Sequence, residues 1–163
     1  MNAINRVMAV DDNPTNLAVI EETLQDRFHL RLVDNGKEAL KNAATFLPDV
    51  VLLDVMMPRP DGYEVCSAMR NDPLLRYSSI IMVSASTAIE ARLRAYRAGA
   101  NDYVCKPFDE EELLAKVLAA VNVKSDYQTL LADVESFYSA TGEVLELLTH
   151  LRDSETGEHI DRV

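Results

Sequence analysis

Five short apolar runs rich in β-branched residues recur along this chain with helical patterns between them, and that alternation limits the fold more than any other feature. The runs are RVMAV (Arg6 to Val10), LRLV (Leu30 to Val33), VVLL (Val50 to Leu53), IIMV (Ile80 to Val83) and DYVC (Asp102 to Cys105). The first, third and fourth are continuously apolar, as strands covered on both faces should be. Helix starts stand between the runs: Asn13 with Pro14, Gly36, Asp61, Thr87 and Asp109. Crossovers between parallel strands are right-handed, so the pattern predicts an α/β fold with a doubly wound, five-stranded parallel sheet.

The third run leads directly into Asp54. A carboxylate inside a buried strand is costly unless paired, so its natural place is the strand's carboxyl end, where open α/β sheets bind ligands. The other strands end in comparable groups: Asp11 and Asp12 after the first, Ser84 after the fourth, Lys106 after the fifth. Converging carboxylates repel one another and protonate unless a cation sits among them. Oxygen ligands with no His or thiolate beside them suit Mg²⁺, which commonly shares its shell with a phosphoryl group. A lysine and a hydroxyl opposite would bind the remaining phosphoryl oxygens. Each piece alone has a bland reading, since an acid pair or a serine after a strand is usually a helix cap and Lys-Pro is usually a loop. Their joint occurrence at strand ends carries the functional reading.

Composition excludes several other classes. With 16 basic against 27 acidic residues the formal charge is −11, and no basic stripe offers a nucleic-acid surface. No run of about 18 apolar residues could span a bilayer, and the N-terminus is too short in apolar length for a signal peptide, so a cytoplasmic protein is expected. Cys66 and Cys105 lie far apart without metal-ligand spacing, which predicts reduced, small apolar side chains.

The stretches VDDNPTN, DVVLLDVMMPRPDGYEV, IIMVSAS and AGANDYVCKPFDEEEL, together spanning Met8 to about Leu113, resemble the receiver domain of bacterial two-component response regulators. The resemblance implies a flavodoxin-like sheet of order 2-1-3-4-5 and a sensor histidine kinase as partner. It implies that Asp54 accepts the phosphoryl group, that Asp12 and the Met56 backbone carbonyl complete the protein ligands of Mg²⁺, and that Asp11 touches the ion through water. Ser84 and Lys106 match the family's switch hydroxyl and phosphate-binding lysine, and Tyr103 matches the aromatic that turns inward on activation. Pro107 matches a proline whose preceding peptide bond is usually cis. Met56 and Ser86 match positions that in the family tune phosphoryl lifetime, and Pro60 stands where many members of the family have an apolar residue. Two rival readings are a phosphate-independent interaction module and an aspartyl-phosphate phosphohydrolase; the second needs an acid two residues after Asp54, where this chain has Met56.

Beyond KVLAAVNV, apolar residues recur as Val123, Tyr127, Leu130, Val134, Phe137, Thr141, Val144, Leu148 and Leu151, in steps alternating four and three. This heptad spacing predicts a long C-terminal helix that pairs with a second copy as a coiled coil. The final stretch, LRDSETGEHIDRV, resembles the opening of an HD-GYP domain, a family of metal-dependent phosphodiesterases acting on cyclic di-GMP and related dinucleotides. Glu155 and His159, four apart, match two of that family's metal ligands and would be an incomplete second metal site. The expected organisation is a receiver over 1–122, a coiled-coil signalling helix over 123–152 and the truncated start of an HD-GYP domain over 153–163. As given, such a chain is expected to catalyse only its own phosphotransfer, with hydrolytic activity belonging to a longer protein.

Overall fold

In a computed structural model the structure describes residues 5–158; within the last helix, side chains at 124, 128, 140 and from 143 onward lie outside the description. Strands β1 (Arg6–Val10), β2 (His29–Val33), β3 (Val50–Asp54), β4 (Ser79–Ser84) and β5 (Asp102–Cys105) alternate with helices α1 (Pro14–Leu24), α2 (Gly36–Phe46), α3 (Gly62–Asn71), α4 (Ile89–Arg97) and α5 (Glu110–Glu158). The sheet is parallel throughout, in the order β2-β1-β3-β4-β5, as expected. Strands β2 and β3 run one residue further at one end than their apolar runs, and β4 one residue further at each end, because ladder hydrogen bonds ignore side-chain polarity.

Strand alternation divides the interior into two layers. Met8, Val10, Val51, Leu53, Ile80 and Met82 meet Ala39, Ala43 and Phe46 of α2 and Val65, Cys66 and Met69 of α3. Val7, Ala9, Val50, Leu52, Ile81 and Val83 meet Ile20 and Leu24 of α1 and Leu113, Val117 and Val121 of α5 on the other face. Both faces are therefore covered, which is why these strands read as continuous apolar runs. Cys66 is buried and Cys105 half-buried, and both are free thiols; burial pushes the Cys66 thiol up.

Helix starts follow their capping signals except at α4. Asn13 accepts the Thr15 N–H at 2.9 Å with Pro14 opening α1, and Asn35 accepts the Glu38 N–H at 2.8 Å. Asp61 and Glu64 form a reciprocal capping box on α3. At α4 the N-cap is Ala88, with no side-chain hydrogen bond, and Thr87 stands one residue outside it. This helix is also thinly anchored, with Ala95 its one buried residue.

The amino edge of the sheet is closed by Arg70. Its guanidinium donates to the carbonyls of Gly99 (2.7 Å), Arg76 (3.0 Å) and Ser78 (2.7 Å) and to Asn101 Oδ1 (2.6 Å). Burial lowers the Arg70 pKa from its ordinary value. Gly99 sits at φ +102°, a conformation that disfavours a side chain, and its chain turn delivers the carbonyl to Arg70.

Helix α5 has 49 residues, and the chain divides into two units within it, at 124/125. In the second unit the heptad residues Tyr127, Leu130, Val134 and Phe137 are exposed, as are Leu131 and Tyr138. Thr141 Oγ1 donates to the Phe137 carbonyl at 2.7 Å, so this hydroxyl is spent on its own helix. Among the described residues no helix is long and apolar enough to cross a membrane.

Candidate functional site

Parallel register brings the polar groups together, because Val10 pairs with Leu53, Asp54 with Val83 and Ser84 with Cys105, so the strands end nearly level. Asp11 and Asp12 follow β1, Asp54 and Ser84 are the last residues of β3 and β4, and Lys106 follows β5. Oxygen atoms of Asp11, Asp12 and Asp54 all lie within 4.8 Å of one another, and the three could hold a metal ion. Asp11 and Asp54 are buried, 1% and 3% exposed, while Asp12 faces solvent. Lys106 Nζ bridges the buried pair, 2.7 Å from Asp11 Oδ2 and 2.9 Å from Asp54 Oδ1.

Three carboxylates against one ammonium leave an excess of two negative charges. Burial pushes the Asp54 carboxyl above its ordinary value against the opposing pull of Lys106, with a smaller upward push from Asp11 and a downward one from the Met56 N–H. For Lys106 burial works against the ammonium, but hydrogen bonds and charge from Asp11 and Asp54 outweigh it and hold the pKa above the usual lysine value. The acid set is thus under-neutralised and offers hard oxygen donors, a donor chemistry that fits a divalent cation such as Mg²⁺.

Neighbours that were not singled out as site residues hold this arrangement. Asn16 Nδ2 lies 3.1 and 3.0 Å from the two Asp11 oxygens, and the Asn13 N–H donates to Asp11 Oδ1 at 2.9 Å. Their sequence signal was the helix start itself, since a third-position side chain reaches back over the first turn. Gly62 packs against the backbone carbonyl of Asp54, and a Cβ there would stand 2.8 Å from Val55 Cα. The sequence marks that residue only as part of a turn.

Ser84 is fully buried, and its Oγ accepts the Ser86 N–H at 3.2 Å. The Ser86 carbonyl accepts from the Tyr103 hydroxyl at 2.8 Å, and Arg92 of α4 lies over the Tyr103 ring at 5.7 Å. Tyr103 is 6% exposed, so its ring is already inside. These contacts form a continuous route from Ser84 to α4. Peptide bonds before Pro107 and Pro60 are both cis. Met56 exposes its side chain beside the site. Of the expected pair Glu155 and His159, the first side chain and all of the second lie outside the described residues.

Residues 7–118 match the family model for the response regulator receiver domain. The chain belongs to that family. Response regulator PleD of Caulobacter vibrioides is 34% identical to this receiver over 120 residues, covering 73% of the chain and 26% of PleD. A Vibrio cholerae protein named as a probable cyclic di-GMP phosphodiesterase is 28% identical over 170 residues, covering 96% of the chain and 38% of that protein. The chain thus spans about a quarter of one relative and two-fifths of the other. Among solved structures, the chemotaxis protein CheY4 of Vibrio cholerae superposes with a TM-score of 0.70 at 31% identity, covering 72% of this chain and 99% of that one. Receiver domains act in two-component signalling, receiving phosphoryl groups from histidine kinases.

Proposed function

We propose that this receiver takes a phosphoryl group on Asp54 from a sensor histidine kinase, with Mg²⁺ held by Asp12, Asp54 and the Met56 carbonyl, and by Asp11 through water. The observation that carries this reading is the convergence of Asp11, Asp12 and Asp54 on one strand edge, with Lys106 as the one cation paired with them among the described residues. When bound, Mg²⁺ neutralises the excess charge and orients phosphoryl oxygens for in-line transfer. An Asp54 carboxylate oxygen forms the new bond to phosphorus as the bond from phosphorus to the kinase imidazole nitrogen breaks, the electron pair leaving with the imidazole. The β3 strand and Gly62 fix where that oxygen stands.

Transfer moves negative charge outward, and Lys106 follows it onto the phosphoryl oxygens. Ser84 turns its hydroxyl proton toward the same oxygens. Because Ser86 is tied to Ser84 and Tyr103 to Ser86, the movement reaches Arg92 and the uncapped start of α4. That face is the element whose two arrangements phosphorylation biases.

The output reading rests on the sequence beyond 122. We place a parallel coiled-coil homodimer over 123–152 and the start of an HD-GYP domain over 153–163, with Glu155 and His159 as ligands of a second metal. Its supports are the heptad spacing, the exposed seam residues and the alignment of nearly the whole chain with the Vibrio cholerae protein. The whole protein is then a cytoplasmic phosphodiesterase of cyclic di-GMP under phosphorylation control. Light scattering that gave a monomer at high concentration would contradict the paired helix. Incubation with Mg²⁺ and acetyl phosphate tests the receiver reading: intact-mass analysis should show one added phosphoryl group, absent from Asp54→Asn. Equal labelling of that variant would overturn the assignment.

A further inference from the structure

We propose that Asn16 is a positioning residue for phosphoryl transfer, holding the charge of Asp11 so that Lys106 is free to leave that carboxylate for the phosphoryl group. The inference rests on the reading of Asp54 as phosphoacceptor. Asp11 is 1% exposed and is met by three groups: the Asn13 N–H on Oδ1, the Asn16 amide on both oxygens, and Lys106 on Oδ2. Only Lys106 is shared with Asp54.

The position of Asn16 follows from the helix start. Asn13 is the N-cap and Pro14 the first helical residue, so Asn16 is third, where a side chain tilts back toward the amino end. It passes over the cap and reaches Asp11, five residues earlier. A neutral amide is the suitable donor there. An arginine or lysine would cancel the Asp11 charge and with it part of the field that draws a divalent cation. An apolar side chain would leave Lys106 as the one side-chain donor on a buried carboxylate, and breaking that contact would strand the charge.

Before transfer the ammonium bridges two carboxylates. Afterwards the Asp54 oxygen is part of an acyl phosphate, and the charge lies on the phosphoryl oxygens. Lys106 gains a stronger partner only if Asp11 keeps donors of its own. Asn16 and the Asn13 N–H are those donors.

Beryllofluoride, a tetrahedral phosphoryl mimic, is the probe, and its binding to the full chain with Mg²⁺ is followed by fluorine NMR. Asn16→Ala should weaken binding about tenfold, the loss of one hydrogen bond to a charged group. Asn16→Asp keeps the shape, removes the donor and adds a like charge, so it should weaken binding further and preserves the test if the alanine variant unfolds. Asn16→Ala, which changes no charge, should not weaken binding again in a Lys106→Ala background, because its effect runs through the lysine. Binding unchanged within about twofold in both variants, or an equal loss from Asn16→Ala with and without Lys106, overturns the inference. If the unsubstituted chain neither binds the mimic nor takes up phosphoryl from acetyl phosphate, the phosphoacceptor reading itself fails, which is a separate result.

Discussion

At the amino edge of the sheet the Arg70 guanidinium is enclosed by neutral acceptors, three carbonyls and the Asn101 side-chain oxygen. At the carboxyl edge the Lys106 ammonium is divided between two carboxylates, with a third nearby. The first arrangement satisfies four of the five guanidinium N–H donors with fixed dipoles and has no reason to change. The second leaves negative charge in excess and one cation with two partners, so it responds to anything that alters the charge. One sheet thus separates a closed end, which holds the fold, from an open end, to which the proposed phosphoryl transfer is assigned.

The largest expected effect breaks the closed end. Arg70→Ala should lower the unfolding free energy by about 3 kcal/mol, since it removes charge-assisted hydrogen bonds that join α3 to the loops before β4 and β5. Urea unfolding measures it. Labelling by acetyl phosphate per folded molecule should be nearly unchanged, and a matching loss of labelling would mean that the two ends are not independent.

An intermediate effect belongs to the open end. Gly62→Ala places a methyl group against the backbone of Asp54 and Val55, so one segment must shift. A loss of about 2 kcal/mol is expected from this overpacking, with labelling also reduced because the displaced residue is the proposed acceptor. Equal stability and full labelling would show that the contact relaxes freely.

The smallest effect has the opposite sign. Without Mg²⁺, Asp54→Asn should stabilise the chain at neutral pH, because the buried carboxylate is held above its ordinary pKa of 3.8. The folded chain keeps a proton there that the unfolded chain has lost, so stability falls as pH rises through that window. The gain should grow as pH rises above 3.8 and vanish below it, where both states are protonated. A destabilised variant at neutral pH would mean that the Lys106 contact outweighs burial.

The open end was more legible in the sequence than the closed one. Asp11, Asp12, Asp54, Ser84 and Lys106 sit directly after apolar strands, so strand order and register alone bring them together. Arg70 reads as an ordinary basic residue in the last turn of a helix, and its acceptors are main-chain carbonyls, which carry no sequence signature. Asn16 was hidden for a related reason: a third helical position predicts the direction of a side chain but not which carboxylate it meets. The start of α4 was blurred because no side chain caps it, leaving Thr87 as the nearest signal. For Tyr103 the resemblance implies a switch role, while its inward placement depends on the Ser86 carbonyl, which carries no sequence signature.

The difference between the two ends is tested most directly by the thermal stability of the chain with and without Mg²⁺. A cation that binds only the folded state raises the melting temperature, and the excess charge at Asp11, Asp12 and Asp54 predicts such a rise. Asp12→Asn combined with Asp54→Asn should abolish it, while Arg70→Ala should keep the full rise from a lower starting temperature. No rise in the unsubstituted chain, or an equal rise after both acids are neutralised, would contradict the assignment of a divalent-cation site to this edge.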